Sequence, residues 1–265
     1  MRMPYRFLLI IALIQCLSGQ TLAAAAPPTL SPPDAATQKI LKEVAALYEA
    51  KNFDKVKELL QPLADKNDPF AAFVLGLMAV RGEGGPQDLQ AAESWWQKAA
   101  DAGHPDAQFN LGYMYFKGAQ AEEGLPRARE LWTRAAAAGH PDALYGLGVM
   151  LMNGVGGSQD VAAGLKNFER AAALGHPLAE FELGIAFIEG QGVKKDLQKG
   201  RAFVQRAADK GMPEAKAVLD ALGPEPKKPP QAQQKQKPAQ KPAQKKPEAP
   251  AEPQKPAVNW GTLPK

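Results

Sequence analysis

The stretch "AAGHPDA" (Ala137–Ala143) decides how this chain is read. Near copies stand at "DAGHPDA" (Asp101–Ala107) and "ALGHPLA" (Ala173–Ala179). The three histidines of the protein, His104, His140 and His176, all lie in these copies, each between a glycine and a proline. They are 36 residues apart. One further step lands on Met212, between Gly211 and Pro213, and one step back from Pro105 lands on Pro69. Other columns keep the same step: Leu-Gly at 75–76, 111–112, 147–148 and 183–184; Ala71, Ala107, Ala143, Ala179 and Ala215; Ala99, Ala135, Ala171 and Ala207. Aromatic residues recur at Phe73, Phe109, Tyr145 and Phe181, and large ones at Trp96, Trp132, Phe168 and Val204. So many columns agreeing at one period mark a repeat architecture.

Each unit reads as a helical hairpin. In "PFAAFVLGLMAVRG" (Pro69–Gly82) the apolar residues Ala71, Leu75 and Met78 keep helical spacing. Pro69 suits the first helical turn, where its missing N–H is not needed. Gly82 and the glycines after it break that helix, Asp88 is placed to cap the next, and Gly103 stops it. The small columns predict close helix approach, at Gly76 and its equivalents on first helices and at Ala92, Ala128, Gly164 and Gly200 on second helices. Trp96 and its column are expected to fill the space between units. One hairpin cannot bury its apolar faces alone, whereas a stack can. The expected fold class is all-α: a right-handed solenoid of antiparallel helical hairpins in 36-residue repeats. Its units are 69–104, 105–140, 141–176 and 177–212.

Units built as A-x-x-x-L-G, then G-x-G-V-x-x-D, then A-A-x-x-G-x resemble Sel1-like repeats, relatives of the tetratricopeptide repeat. "AEFELGIAFIEGQGVKKDLQKGRAFVQRAADKGM" (Ala179–Met212) matches best. The second unit departs, with "GAQAEEGLP" (Gly118–Pro126) in place of the Gly-x-Gly-Val loop. The resemblance covers about 69–222 and implies protein–protein binding, often in envelope assembly or signalling. Residues 34–68 read as a degenerate N-terminal capping hairpin, and 213–222 as a lone capping helix.

The two ends read differently. Arg2 and Arg6 precede the apolar run "FLLIIALIQCL" (Phe7–Leu17) and the small residues of "LSGQTLAAAA". This order predicts a signal peptide over 1–24 and a periplasmic or secreted protein. The run is shorter than the about 20 apolar residues of a membrane-spanning helix, so no transmembrane helix is expected in the mature protein; an uncleaved anchor is the alternative. Gln15 before Cys16 argues against a lipoprotein. Cys16 is the only cysteine; if it leaves with the signal, disulfides and thiolate chemistry are excluded. Residues 223–265 read as a disordered basic tail rich in Pro, Lys and Gln. Residues 224–265 carry nine Lys against three Glu, while 27–223 carry 21 Lys and Arg against 25 Asp and Glu. The high isoelectric point therefore belongs to the tail. Scattered lysines without arginine or aromatic interleaving do not predict nucleic-acid binding. They fit a salt-sensitive contact with anionic wall polymer or lipid. Trp260, after a long polar spacer, reads as a docking residue on a tether.

No catalytic, metal or cofactor site is expected. Helices packed side by side stand about 8–10 Å apart, while Zn–N bonds are about 2.0–2.1 Å. Histidines at equivalent positions in successive repeats therefore cannot share a metal. Each is expected at a helix–helix joint, where a ring favours the C-terminal end of a helix dipole. Nucleophile elbows, phosphate loops, dinucleotide fingerprints and His-Glu-x-x-His are absent. Cysteine-rich relatives of the repeat are linked to β-lactams, but those are stapled by disulfides. The expected reading is a non-enzymatic scaffold or adaptor of a bacterial-type cell envelope. The alternative is an envelope-polymer binder acting through the tail.

The candidate binding surface is a stripe along the first helices that does not repeat. Plotted at about 100° per residue, it reads Phe70, Val74, Leu77, Arg81; Asp106, Asn110, Tyr113, Lys117; Asp142, Gly146, Val149, Asn153; Leu178, Glu182, Ile185, Glu189. It runs from basic (Arg81, Lys117) to acidic (Glu182, Glu189) and is expected to line the concave face, where helical solenoids grip partners. The candidate partner-binding residues are Phe70, Val74, Arg81, Asn110, Tyr113, Lys117, Val149, Asn153, Glu182, Glu189 and Trp260.

Overall fold

The structure is a computed structural model that describes residues 35–118 and 121–224. The signal peptide read over 1–24 and the tail beyond residue 224, with Trp260, lie outside the described residues. Among these, every element is helical. An N-terminal hairpin of α1 (Ala35–Glu49) and α2 (Phe53–Asp65) comes first. Four hairpins follow: α3 (Pro69–Arg81) with α4 (Leu89–Asp101), α5 (Pro105–Lys117) with α6 (Ala121–Ala137), α7 (Pro141–Asn153) with α8 (Val161–Ala173), and α9 (Pro177–Glu189) with α10 (Leu197–Asp209). The single helix α11 (Pro213–Leu222) ends the array. The main packing runs from each helix to the next along the chain, the arrangement of a solenoid.

Local chemistry sets the punctuation. Pro69, Pro105, Pro141, Pro177 and Pro213 each open a helix. Asp88, Asp160 and Asp196 accept hydrogen bonds from the backbone N–H groups of Ala91, Ala163 and Lys199, each at 2.9 Å. These bonds satisfy N–H groups that the helix itself leaves unpaired. The joints between repeats need a left-handed residue, and Gly103, Gly139, Gly175 and Gly211 hold φ between 82° and 90°. At Gly139 nothing lies within 4 Å of where a Cβ would stand. Glycine is there for its backbone angle and not for space. Asn67 takes the same place after the N-terminal hairpin, with φ 64°.

Inside each hairpin the large column of the second helix lies on the glycine of the first. A Cβ on Gly112 would stand 2.6 Å from Trp132 Cδ1, and one on Gly148 2.5 Å from Phe168 Cε1. Trp96 and Trp132 donate their indole N–H groups to the carbonyls of Phe73 and Phe109, at 3.3 and 3.1 Å. The same rings reach across the joint: a Cβ on Gly146, in the next repeat, would stand 2.8 Å from Trp132 Cζ3. The large column thus packs both its own hairpin and the neighbouring one.

Repeat 2 departs where its sequence does. Gly124 stands where Asp88 and Asp160 cap, and α6 instead starts at Ala121 and runs 17 residues, against 13 in α4, α8 and α10. Gly118 is extended (φ −64°, ψ 155°), unlike the left-handed Gly82, Gly154 and Gly190. The turn residues of the other repeats are absorbed into an extra helical turn. At the far end Arg201 donates to the carbonyls of Leu222 and Gly223, at 3.1 and 2.6 Å, closing α11.

Candidate functional site

The histidines hold the joints, but by the opposite helix end from the one expected. His140 and His176 are the N-cap residues of α7 and α9. Their Nδ1 atoms accept from the backbone N–H groups of Ala143 and Ala179, at 3.2 and 3.3 Å. The ring serves a helix N-terminus as a hydrogen-bond acceptor rather than a helix C-terminus. With Nδ1 accepting, the ring proton sits on Nε2, which faces the carboxylate of the preceding repeat: Asp106 at 3.3 Å from His140 and Asp142 at 3.1 Å from His176. Each ring also stacks on an aromatic residue one repeat back. Phe73–His104, Phe109–His140 and Tyr145–His176 have centroids 4.5, 4.7 and 4.9 Å apart, all inclined at 19°.

His104 is the exception. It stacks but makes no cap bond, and its buried Nδ1 has no hydrogen-bond partner. Burial lowers its pKa despite the nearby carboxylates of Asp106 and Asp68. Desolvation would raise the Asp106 carboxyl, but the hydrogen bond from His140 and the favourable electrostatic environment of the His104 and His140 rings hold it below the usual range. The hydrogen bond from His176 does the same for Asp142.

A second set of links joins the other helices. Arg134 donates to the Ala100 carbonyl at 2.5 Å and Arg170 to the Ala136 carbonyl at 2.8 Å, each reaching back one repeat. In repeat 4 the equivalent Arg206 joins Lys210 on the buried carboxylate of Glu180, at 3.3 and 2.6 Å.

The non-repeating stripe is divided by the structure. Phe70 and Val74 are 7% and 1% exposed and belong to the core that α1 and α2 complete. They are not surface positions, because the N-terminal hairpin covers the start of the stripe. Arg81 donates to the Tyr48 hydroxyl at 2.9 Å, and Tyr48 in turn donates to Glu83. From repeat 2 onward the stripe opens. Asn110 is half-buried, Tyr113 is 49% exposed, and Lys117 holds its ammonium 6.0 Å over the Tyr113 ring. Asn153 and Glu189 are exposed, and Val149 and Glu182 half-buried.

Val149, Asn153 and Glu182 share a cleft of about 390 Å³ at the joint of repeats 3 and 4. Met152, Gln159, Val161, Phe168 and Gln191 also line it. Sequence reasoning missed these wall residues, although one signal was in view. The column that is Trp132 in repeat 2 is the smaller Phe168 in repeat 3, and the position facing it changes from Gly146 to Glu182. Less ring reaches the joint, and a cleft remains. Among the described residues no group of His, Asp and Glu has the arrangement to hold a metal ion, and no helix is long and apolar enough to cross a membrane.

Stacked helical hairpins, locked by repeating columns and carrying a surface that does not repeat, form a helical-repeat solenoid. Residues 69–104, 105–140, 141–176 and 177–212 each match the Sel1 repeat model, and the chain belongs to that family. Sel1 repeat proteins generally mediate protein–protein interaction and are typically non-catalytic scaffolds. The chain is similar to the crystal structure of a Sel1 repeat protein from Oxalobacter formigenes, at 29% identity over 68% of this chain and 74% of that one, with a TM-score of 0.63. Its fold is also like that of c5321, a protective antigen of uropathogenic Escherichia coli with an SLR fold, at 21% identity and a TM-score of 0.62. That likeness covers 82% of this chain but only 49% of the other. Comparison with curated proteins gives no match.

Proposed function

We propose that this protein is an exported, non-enzymatic adaptor of a bacterial-type cell envelope that grips a protein or peptide partner on the concave face of its solenoid. The observation that carries the reading is the open part of the stripe. Asn110, Tyr113 and Lys117, then Val149 and Asn153, then Glu182 and Glu189 occupy equivalent places on α5, α7 and α9. They differ in every repeat, while the columns around them hold the stack together. Positions that do not repeat and that the stack leaves open or half-open are the ones left for a ligand, and the exposed Tyr113 with Lys117 beside it offers an aromatic anchor of the kind enriched at interfaces. Export rests on the leader-like sequence of residues 1–24.

The test is crosslinking in living cells from a photoreactive residue replacing Tyr113, with a second probe at the exposed Lys98 on a second helix. The expected result is a discrete adduct from position 113 that is lost with Asn110→Ala and Lys117→Ala. An adduct from position 98 alone would sink the proposal. Deleting residues 224–265 leaves the adduct in place if the solenoid does the binding. If the deletion instead abolishes a salt-sensitive attachment to wall or membrane together with the adduct, the tail is the binding element.

A further inference from the structure

We infer that the cleft at the joint of repeats 3 and 4 takes a cationic side chain, a lysine ammonium or arginine guanidinium carried by the partner, with Glu182 as its counter-charge. The inference rests on the groove reading and adds the chemistry of one subsite to it.

The cleft walls offer acceptors and no charged donor. Asn153 commits its side-chain N–H to the Val149 carbonyl at 2.9 Å, and Gln159 commits its own to the Met152 carbonyl at 2.7 Å. Gln191 donates to Glu189. Each amide thus spends a donor within the protein, and no described hydrogen bond engages its oxygen. No lysine, arginine or histidine lines the cleft. Its apolar part, from Val149, Met152, Val161 and Phe168, suits the methylene stem of a long cationic side chain.

Glu182 has no ion pair or hydrogen bond among the described contacts, although two residues earlier Glu180 is held by both Arg206 and Lys210. The chain thus neutralises the Glu180 carboxylate of α9 twice and leaves that of Glu182 bare at an open cleft. Burial pushes the Glu182 carboxyl above its usual range. An arriving cation would reverse that, because an opposite charge close by favours the ionised form. Glu189, about two turns further along the same face, extends the negative field.

The test is methyl NMR on the full chain labelled at its methionines, because the Met152 methyl reports on the cleft and the Met114 methyl lies in a different one. The probes are acetyl-Gly-Gly-Lys-Gly-Gly-amide and its arginine and norleucine counterparts. The lysine and arginine peptides are expected to shift Met152 saturably and leave Met114 unmoved, and the norleucine peptide to shift neither. Glu182→Gln should weaken the response on the order of tenfold, as for loss of a charged hydrogen bond. Asn153→Lys, at an exposed position, should block it by supplying a cation from within. Absence of a saturable shift up to about 10 mM peptide, an equal response to norleucine, or an undiminished response in Glu182→Gln would overturn the inference. If the Tyr113 adduct survives such a result, the groove reading stands and only the cation subsite falls.

Discussion

Asp106 and His140 meet across the joint of repeats 2 and 3, with carboxylate Oδ1 3.3 Å from ring Nε2. The same ring caps α7 through the Ala143 N–H and stacks on Phe109. One side chain therefore ties the start of a helix to an aromatic ring and a carboxylate of the preceding repeat. His176 repeats the arrangement with Ala179, Tyr145 and Asp142.

His140→Ala should destabilise the fold by about 1–3 kcal/mol, from loss of a cap and an aromatic stack together. His140→Asn restores the cap acceptor and should recover about 1 kcal/mol of that. Urea unfolding of the three proteins measures both. Equal stability of the alanine and asparagine variants would show that the cap bond contributes nothing.

Stability should fall as the solution is acidified, in two stages. His104 is buried with its pKa depressed, facing Asp106, Asp68 and His140. Below about pH 6.5, the unfolded value, the unfolded chain takes up a proton that the folded chain refuses, so stability drops with falling pH. Asp106 and Asp142 have depressed pKa values, and their contribution is present above about pH 4 and lost as pH falls through their folded values. His104→Leu should flatten the urea midpoint between about pH 7 and pH 5 and leave most of the lower stage, since the hydrogen bonds from His140 and His176 still act on Asp106 and Asp142. An unchanged slope would place the first stage elsewhere.

Gly148→Ala should cost about 1–3 kcal/mol by overpacking, because its Cβ would stand 2.5 Å from Phe168 Cε1. Trimming the ring with Phe168→Leu should make the second change cheaper, a coupling that a double-mutant cycle resolves. Gly139→Ala differs in cause. Its cost of about 1–2 kcal/mol comes from a left-handed backbone angle, so no change in a neighbour relieves it. Additive energies at Gly148 and Phe168 would argue against contact as the reason for that glycine.

The legible parts of this fold are those set by near neighbours. A proline that opens a helix, an aspartate that caps one and a glycine that ends one act within a few residues, so the spacing of Pro105, Asp88 and Gly103 was enough to place hairpins and their period. The histidines show where that reasoning stops. Their position at the joint followed from the flanking glycine and proline. The cap bond of His140 to the Ala143 N–H is local, but what meets its other ring nitrogen and its ring face depends on where the previous repeat puts Asp106 and Phe109, 34 and 31 residues away in the chain.

The stripe divides the same way. Phe70 and Asn110 belong to neighbouring places on the same helical face, yet Phe70 is core and the stripe is open from Asn110 onward, because α1 and α2 cover only its start. Pattern on one helix cannot tell a face that meets solvent from a face that meets another hairpin; both burial and exposure are relations between elements. The chain by itself determined the unit, its length and the residues that hold units together, since these are local backbone and packing preferences repeated four times. Only the stacked structure decided that Glu180 is paired while Glu182 stands bare beside a cleft. That difference is made by Phe168, Arg206 and Lys210, which reach α9 through space and not along the sequence.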